Sequence, residues 1–284
     1  MPPFALVATS RTLFRVDLET AEIDRVDEGH GLYFGITWDS GFFYVAARWY
    51  PPLRPTSAVE RPRLLIFDSD LRRSERRRFP VPCGGLHQIL FHEGRLICSC
   101  SREDSYILGL GEEWEVWHPS EDPDHHGRDV HHFNSVWIEG GRLFLLGHNN
   151  GPSDVWEFSL AERRLIRKYR AGLSAHNVFR HGERLAICSS GEGQIVTVGD
   201  GEALAKPGGF PRGIALGADL NVVGISSVAN RSNRWWTPGK ILLYDTAWKL
   251  EREIGLGLCG QVNDIRILGP DSAHHGLAPP GGTA

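Results

Sequence analysis

The 284-residue chain carries 31 basic and 35 acidic residues, a formal charge of -4, with 41% hydrophobic and 23% charged residues and a mean hydropathy of -0.26. That balance argues against a nucleic-acid partner, which needs a basic surplus for its phosphate contacts, and no apolar run approaches the roughly 20 residues of a membrane helix, so no membrane partner is expected either. A chain of this size can bury about three quarters of its unfolded surface, so neither a disulfide nor a structural metal is needed for folding.

In chain order, PPFALVATS, TLFRVDL and AEIDRVDE read as three strands separated by short turns. The opening MPPFALVATSRTLF has no positive n-region, and Thr9, Ser10 and Arg11 interrupt its apolar stretch, so no secretory signal is expected. A weak pattern then repeats: a short apolar segment, a Gly-containing turn, and a second apolar segment ending in small residues. Its central aliphatics are Ile36 in YFGITW, Ile89 in LHQILF, Val136 in FNSVWI, Val178 in HNVFRH, Ile214 in PRGIAL and Ile265 in NDIRIL. The separations of 53, 47, 42, 36 and 51 residues fall around the about 40 to 50 of four-stranded propeller blades.

Each anchor is followed by a second strand, GFFYVAAR, RLICSCS, RLFLLGHN, RLAICSS or NVVGISS, and in the third copy DVWEFSL and RLIRKY supply the third and fourth. RRSERRR, from Arg72 to Arg78, reads as a solvated fourth strand whose charges discourage edge pairing. The last copy has only its first strand, Val262 to Leu268, before the Gly- and Pro-rich GPDSAHHGLAPPGGTA. The three N-terminal strands would complete it. The expectation is therefore an all-β, six-bladed β-propeller over residues 1-268, its last blade closed by the chain start, with a tail at 269-284 and no helix of note.

The five cysteines are odd in number, and Cys98 and Cys100 are too close in one strand to bridge each other. Reduced thiols and a cytoplasmic location are expected.

The first strand of a propeller blade lines the central channel, and functional groups gather at its mouth. Two residues before each anchor stand Phe34, His87, Asn134, His176, Arg212 and Asn263, a polar ring where a core face would be aliphatic. One residue further on lie Gln88, Ser135, Asn177 and Asp264. His132, four before its anchor, and the second-strand ends, including Arg48, Ser99, His148, Ser189, Ser190 and Ser226, should face the same mouth. Of the histidine-rich segment from His118 to Ser135, His125, His126 and His131 read as solvated. The loops at 48-62 and 227-240, with Trp49, Tyr50, Arg231, Arg234, Trp235 and Trp236, should overhang the mouth.

Three readings of the ring stand side by side. In the favoured one the protein, an enzyme or a binding protein, takes a small anionic or polyhydroxylated metabolite. Arg212 is then the anion fork, His87 or His176 acts as acid or base, and Asn134, Asn263, Asp264, His132, Arg48 and His148 complete the binding set. In the second, a divalent metal is held by His87, His132 and His176, with the Arg212 cation an awkward neighbour. In the third, the ring only satisfies itself and ordered water, and the propeller serves as a scaffold for a protein partner. No Ser-His-Asp elbow or phosphate-cradling Gly loop is present, so no nucleotide cofactor is expected.

The segment PGGFPRGIALGADLNVVGISS, from Pro207 to Ser227, with GKILLYDTAWKLEREIG and VNDIRIL after it, resembles an uncharacterised bacterial propeller family. That family's pattern is Gly-Phe-x-Arg-Gly-[Ile/Leu]-Ala followed by Val-Gly-[Ile/Leu]-Ser. Only His176 and Arg212 carry over, since Ala175, His176, Asn177 and Val178 stand where the family tends to have Pro-His-Ser-Pro. More distantly the chain is similar to the six-bladed gluconolactonase, strictosidine-synthase and NHL group. It lacks the gluconolactonases' metal-binding Glu, Asn and Asp pattern, so the resemblance does not imply lactonase activity.

Overall fold

Strands that alternate apolar and polar residues, separated by tight turns, pair with their sequence neighbours into antiparallel sheets. The computed structural model describes residues 3-49, 61-79, 81, 83-110, 113-149, 151-230, 233-268 and 280. The described residues hold 24 strands: β1 (Phe4–Thr9), β2 (Thr12–Asp17), β3 (Ile23–Glu28), β4 (Leu32–Asp39), β5 (Phe42–Trp49), β6 (Arg61–Phe67), β7 (Arg73–Arg78) and β8 (Leu86–His92) open the series. Next come β9 (Arg95–Cys100), β10 (Ser105–Leu110), β11 (Glu113–Trp117), β12 (Phe133–Glu139), β13 (Arg142–His148), β14 (Pro152–Ser159), β15 (Leu165–Leu173) and β16 (His176–His181). The last are β17 (Arg184–Ser189), β18 (Gln194–Thr197), β19 (Ala203–Ala205), β20 (Phe210–Leu216), β21 (Leu220–Ser226), β22 (Gly239–Asp245), β23 (Leu250–Gly257) and β24 (Val262–Leu268).

These strands form six four-stranded sheets, and β24 pairs antiparallel with β1 to close the sixth. The protein is a six-bladed β-propeller, with one short 3-10 turn at Pro123–His125 among the described residues. All six anchors fall in the innermost strands β4, β8, β12, β16, β20 and β24, which follow one another round the ring. The core is divided into wedges between adjacent blades: Leu6, Leu13, Ile36 and Trp38 fill one, and Val178, Ile187, Leu146 and Val155 another. The β7 side chains are all exposed, as the basic run required. The tail falls almost entirely outside the described residues.

Every innermost strand shifts register at its mouth end. Ala8 faces Asp264 while Thr9 faces Val262, so Asn263 is the extra residue, and corresponding bulges occur in β4, β8, β12, β16 and β20. A bulge sets two residues against one and re-aims side chains. Strict alternation would send one of the two rows before the anchors into the blade interfaces. The bulges bring both rows to the channel.

The row next to the anchors ties the blades together. Asp264 accepts from Ile36 N at 2.8 Å, Gln88 Oε1 from Val136 N at 2.8 Å, Ser135 Oγ from Val178 N at 2.9 Å and Asn177 Oδ1 from Gly213 N at 2.8 Å. Each bond crosses from one blade to the next. Where this row has glycine the reason is steric or conformational: a Cβ on Gly35 would lie 2.4 Å from Ile89 N, and Gly213 has φ +78°.

Cys83 and Cys100 are joined by a disulfide with Cα atoms 5.4 Å apart, while Cys98, Cys188 and Cys259 are free and buried. This corrects the expectation of wholly reduced cysteines. The bond ties the segment entering β8 to the end of β9, a proximity that the 17-residue separation gains only when the two strands pair. Disulfides persist in oxidising compartments, so the thiol argument for the cytoplasm falls away. No helix among the described residues is long and apolar enough to cross a membrane.

Candidate functional site

The innermost strands bring Phe34, His87, Asn134, His176, Arg212 and Asn263 together at one end of the channel. His132, at the entry to β12, and His148, at the end of β13, extend this ring into an arc of aromatic rings. Phe34 meets His87 with centroids 5.0 Å apart, His87 meets His132 at 5.3 Å, His132 meets His148 at 5.2 Å, His148 meets His176 at 5.2 Å, and His176 meets Phe210 at 5.5 Å. Two cations lie against the start of the arc, with Arg48 4.7 Å and Arg212 5.1 Å from the Phe34 centroid. Phe34, the apolar exception in the sequence pattern, is thus the platform for both guanidinium groups.

Hydrogen bonds set which atom each buried side chain presents. His87 Nδ1 lies 2.6 Å from Gly85 O, which can only accept, so the proton sits on Nδ1 and Nε2 keeps its lone pair. His176 Nδ1 lies 3.0 Å from Ser190 Oγ, whose own hydrogen is given to Pro211 O at 2.6 Å, so His176 is the same tautomer. Asn134 donates to Ala175 O at 3.1 Å and Asn263 to Tyr33 O at 2.7 Å, each across a blade boundary. Their Oδ1 atoms are buried without a donor. Arg212 is 6% exposed and makes no hydrogen bond or ion pair among the described residues.

Electrostatics follow from this crowding of cations. Burial, then Arg48 and Arg234, lower the Arg212 guanidinium to about 9, leaving it charged at neutral pH. Burial and Arg212 push His87 and His176 well below the usual imidazole range, and burial with His132 and Arg212 brings His148 down to about 3. Three neutral imidazoles therefore surround a positive pole. In the free protein the Nε2 atoms of His87 and His176 are lone-pair acceptors. His132 has an acidic neighbour: its Nδ1 lies 2.8 Å from Asp129 Oδ1, so a carboxylate orients the ring.

These shifts have a sign. An unfolded imidazole protonates near about pH 6.5, whereas folded His87 and His176 stay neutral below that, so the unfolded state binds more protons and stability falls as pH drops through about 6.5. His176→Gln should flatten the fall in Tm between about pH 7.5 and 5. An unchanged slope in a thermal melt would contradict the neutral assignment.

The other expected residues divide clearly. Asp264, expected as a binding residue, spends its carboxylate on Ile36 N, Ile265 N at 3.0 Å and Arg266 Nη1 at 2.6 Å, and so holds the ring together. Ser99, Ser189 and Ser226 bond backbone within and between blades. His87, His132 and His176 do not converge as a ligand set, and among the described residues no three His, Cys, Asp or Glu side chains are placed to share a metal ion. Of the loop histidines expected to be solvated, His131 binds the buried Asp104 at 3.1 Å and stacks on Phe133, while His125 and His126 bond Ser120. Trp236 stacks with Arg11 at 4.0 Å, while Arg234 of the same loop acts electrostatically on Arg212 and His148. Tyr50, Arg231 and most of the first overhanging loop lie outside the described residues. Asp129 and Phe210 were not singled out from sequence, because nothing local marks which Asp or Phe will reach the mouth.

No protein-family model matches the chain, and no curated protein sequence matches it. Among solved structures, a chain in a crystal structure of a nidogen/laminin complex aligns with TM-score 0.66 and 10% identity, covering 93% of this chain and 98% of that one. A protein of unknown function from Bacteroides caccae aligns with TM-score 0.66 and 11% identity over 94% of this chain and 99% of its own. At such identities the likeness is one of fold alone. Of the expected family resemblance, the propeller architecture stands and the sequence signature finds no matching family model.

Proposed function

We propose that the mouth binds a small anionic metabolite bearing hydroxyl or amino groups. The observation that carries this reading is the buried Arg212 guanidinium with no anionic partner of its own, stacked with Arg48 on Phe34. A buried cation is costly unless an anion or acceptor meets it. The acceptors around it point to the rest of the ligand. Asn134 Oδ1, Asn263 Oδ1 and the Nε2 atoms of His87 and His176 all call for donors, which a polyhydroxylated acid supplies. The space at the ring is only about 10 Å³, room for about one water-sized group, so a single anionic oxygen reaches in while the remaining atoms lie on the arc.

If the protein is an enzyme, the chemistry is proton transfer, with the Nε2 lone pairs of His87 and His176 as the accepting groups and His132, oriented by Asp129, beside them. The anion would cancel part of the field of Arg212 and Arg48, raising the imidazoles it touches, so binding should tighten as pH falls.

The test is thermal denaturation with phosphate, gluconate and glucuronate. At about a hundred times Kd a bound anion adds about 2.7 kcal/mol, a rise of several degrees in Tm for a domain this size. Arg212→Met should melt no lower than the parent in buffer alone and lose the response. If no anion moves the parent's Tm, the reading fails, and the scaffold alternative gains, with exposed Trp236 and Leu258 meeting at Arg11 as its contact surface.

A further inference from the structure

Past the belt of inter-blade hydrogen bonds the channel opens again into a cavity of about 220 Å³, far roomier than the mouth. Residues one and two positions after the anchors line it, and its walls are apolar: Trp38, Trp137, Phe179, Ile214, Leu216 and Ile267. Trp137, Leu216 and Arg180 are its half-buried members, so it reaches solvent on their side.

Two charged groups interrupt this lining: Arg180 at its half-buried rim, 3.4 Å from Glu139, and Arg266 in its interior. Arg266 is 5% exposed, and its Nη1 is taken by Asp264 Oδ1 and Ile265 O, each at 2.6 Å. Its Nε and Nη2 are buried with no acceptor. Those two N–H groups form the side-on fork of a guanidinium, which matches the two oxygens of a carboxylate. Gln88 and Asn177 line this cavity as well as the mouth. Their amide oxygens accept from Ser135 Oγ, Val136 N and Gly213 N, so each can still offer the channel its NH2 group. The polar lining is therefore built of donors, and buried donors left unmatched are costly.

We propose that this cavity is a second ligand site, for a monocarboxylate with a compact apolar body about the size of one ring. The carboxylate lies on the Nε and Nη2 fork of Arg266, and the body lies among Trp38, Trp137 and Phe179. The volume suits it: an apolar cavity of about 150 Å³ already accommodates a benzene ring, and the space here is larger by roughly a carboxylate. Asp264 is bonded to Nη1, which leaves the Nε and Nη2 fork to the ligand's carboxylate.

Benzoate is the probe, titrated calorimetrically into the intact protein. One site per chain is expected. Arg266→Lys, which keeps a cation beside Asp264 but has no planar fork, should weaken binding at least tenfold, and Ala215→Phe, which fills the cavity from its wall, should abolish it. Arg212→Met should leave it unchanged, which separates this site from the mouth. Crystals grown with 4-bromobenzoate should show the bromine among the cavity tryptophans, a readout that stands if Ala215→Phe does not fold. No heat of binding, bromine only at the mouth, loss in Arg212→Met, or water alone on the Arg266 fork would each overturn the proposal.

Discussion

Asp264→Ala is expected to lower stability by about 3–5 kcal/mol, because it strips a buried guanidinium of its partner. The side chains of Arg266 and Asp264 are 6% and 2% exposed, so water cannot replace the lost carboxylate. The same carboxylate also accepts from Ile36 N, so the variant loses a bond between the β24 and β4 blades. Asp264→Asn, which keeps an acceptor for Ile36 N but not the charge, should fall between the variant and the parent. Urea unfolding midpoints measure this. A stable Asp264→Ala protein with a weakened response to anions would return Asp264 to the binding role its sequence position suggested.

Truncation after Gln261 should have a still larger effect, removing cooperative unfolding altogether. Without β24, the edge of β1 is exposed, the wedge against the β20–β23 blade loses Val262, Ile265 and Ile267, and the Asp264 tie to the β4 blade is lost. The remaining five blades keep their internal pairing, so secondary structure by circular dichroism should persist while the thermal transition broadens or splits. A truncated chain melting in one sharp transition at the parent temperature would mean that ring closure contributes little.

Asn263 links this closure to the candidate site. Its amide bonds Tyr33 O in the next blade while its Oδ1 faces the channel unmatched, so one residue both seals the ring and completes the mouth. Loss of β24 should therefore abolish the anion response as well.

The blade pattern was legible in the sequence because it rests on local physics: period-two alternation, Gly-containing turns, and a repeat length that leaves three strands over at one end and lacks three at the other. The polar ring was legible for the same reason, since Phe34, His87, Asn134, His176, Arg212 and Asn263 each hold one position relative to an aliphatic anchor. What alternation could not show is the bulge in every innermost strand, because a bulge is a property of register between two strands. It decided that Gln88, Ser135, Asn177 and Asp264 bind neighbouring blades. Only the closed ring could bring the Arg48 cation, from the β4–β7 blade, to Arg212 in the β20–β23 blade, whereas Cys83 meets Cys100 through the pairing of β8 with β9 and Asp129 lies three residues from His132. The protonation of the histidines is likewise a tertiary property. Their side chains are ordinary imidazoles in the sequence, and it is burial beside an unpaired guanidinium that makes them neutral.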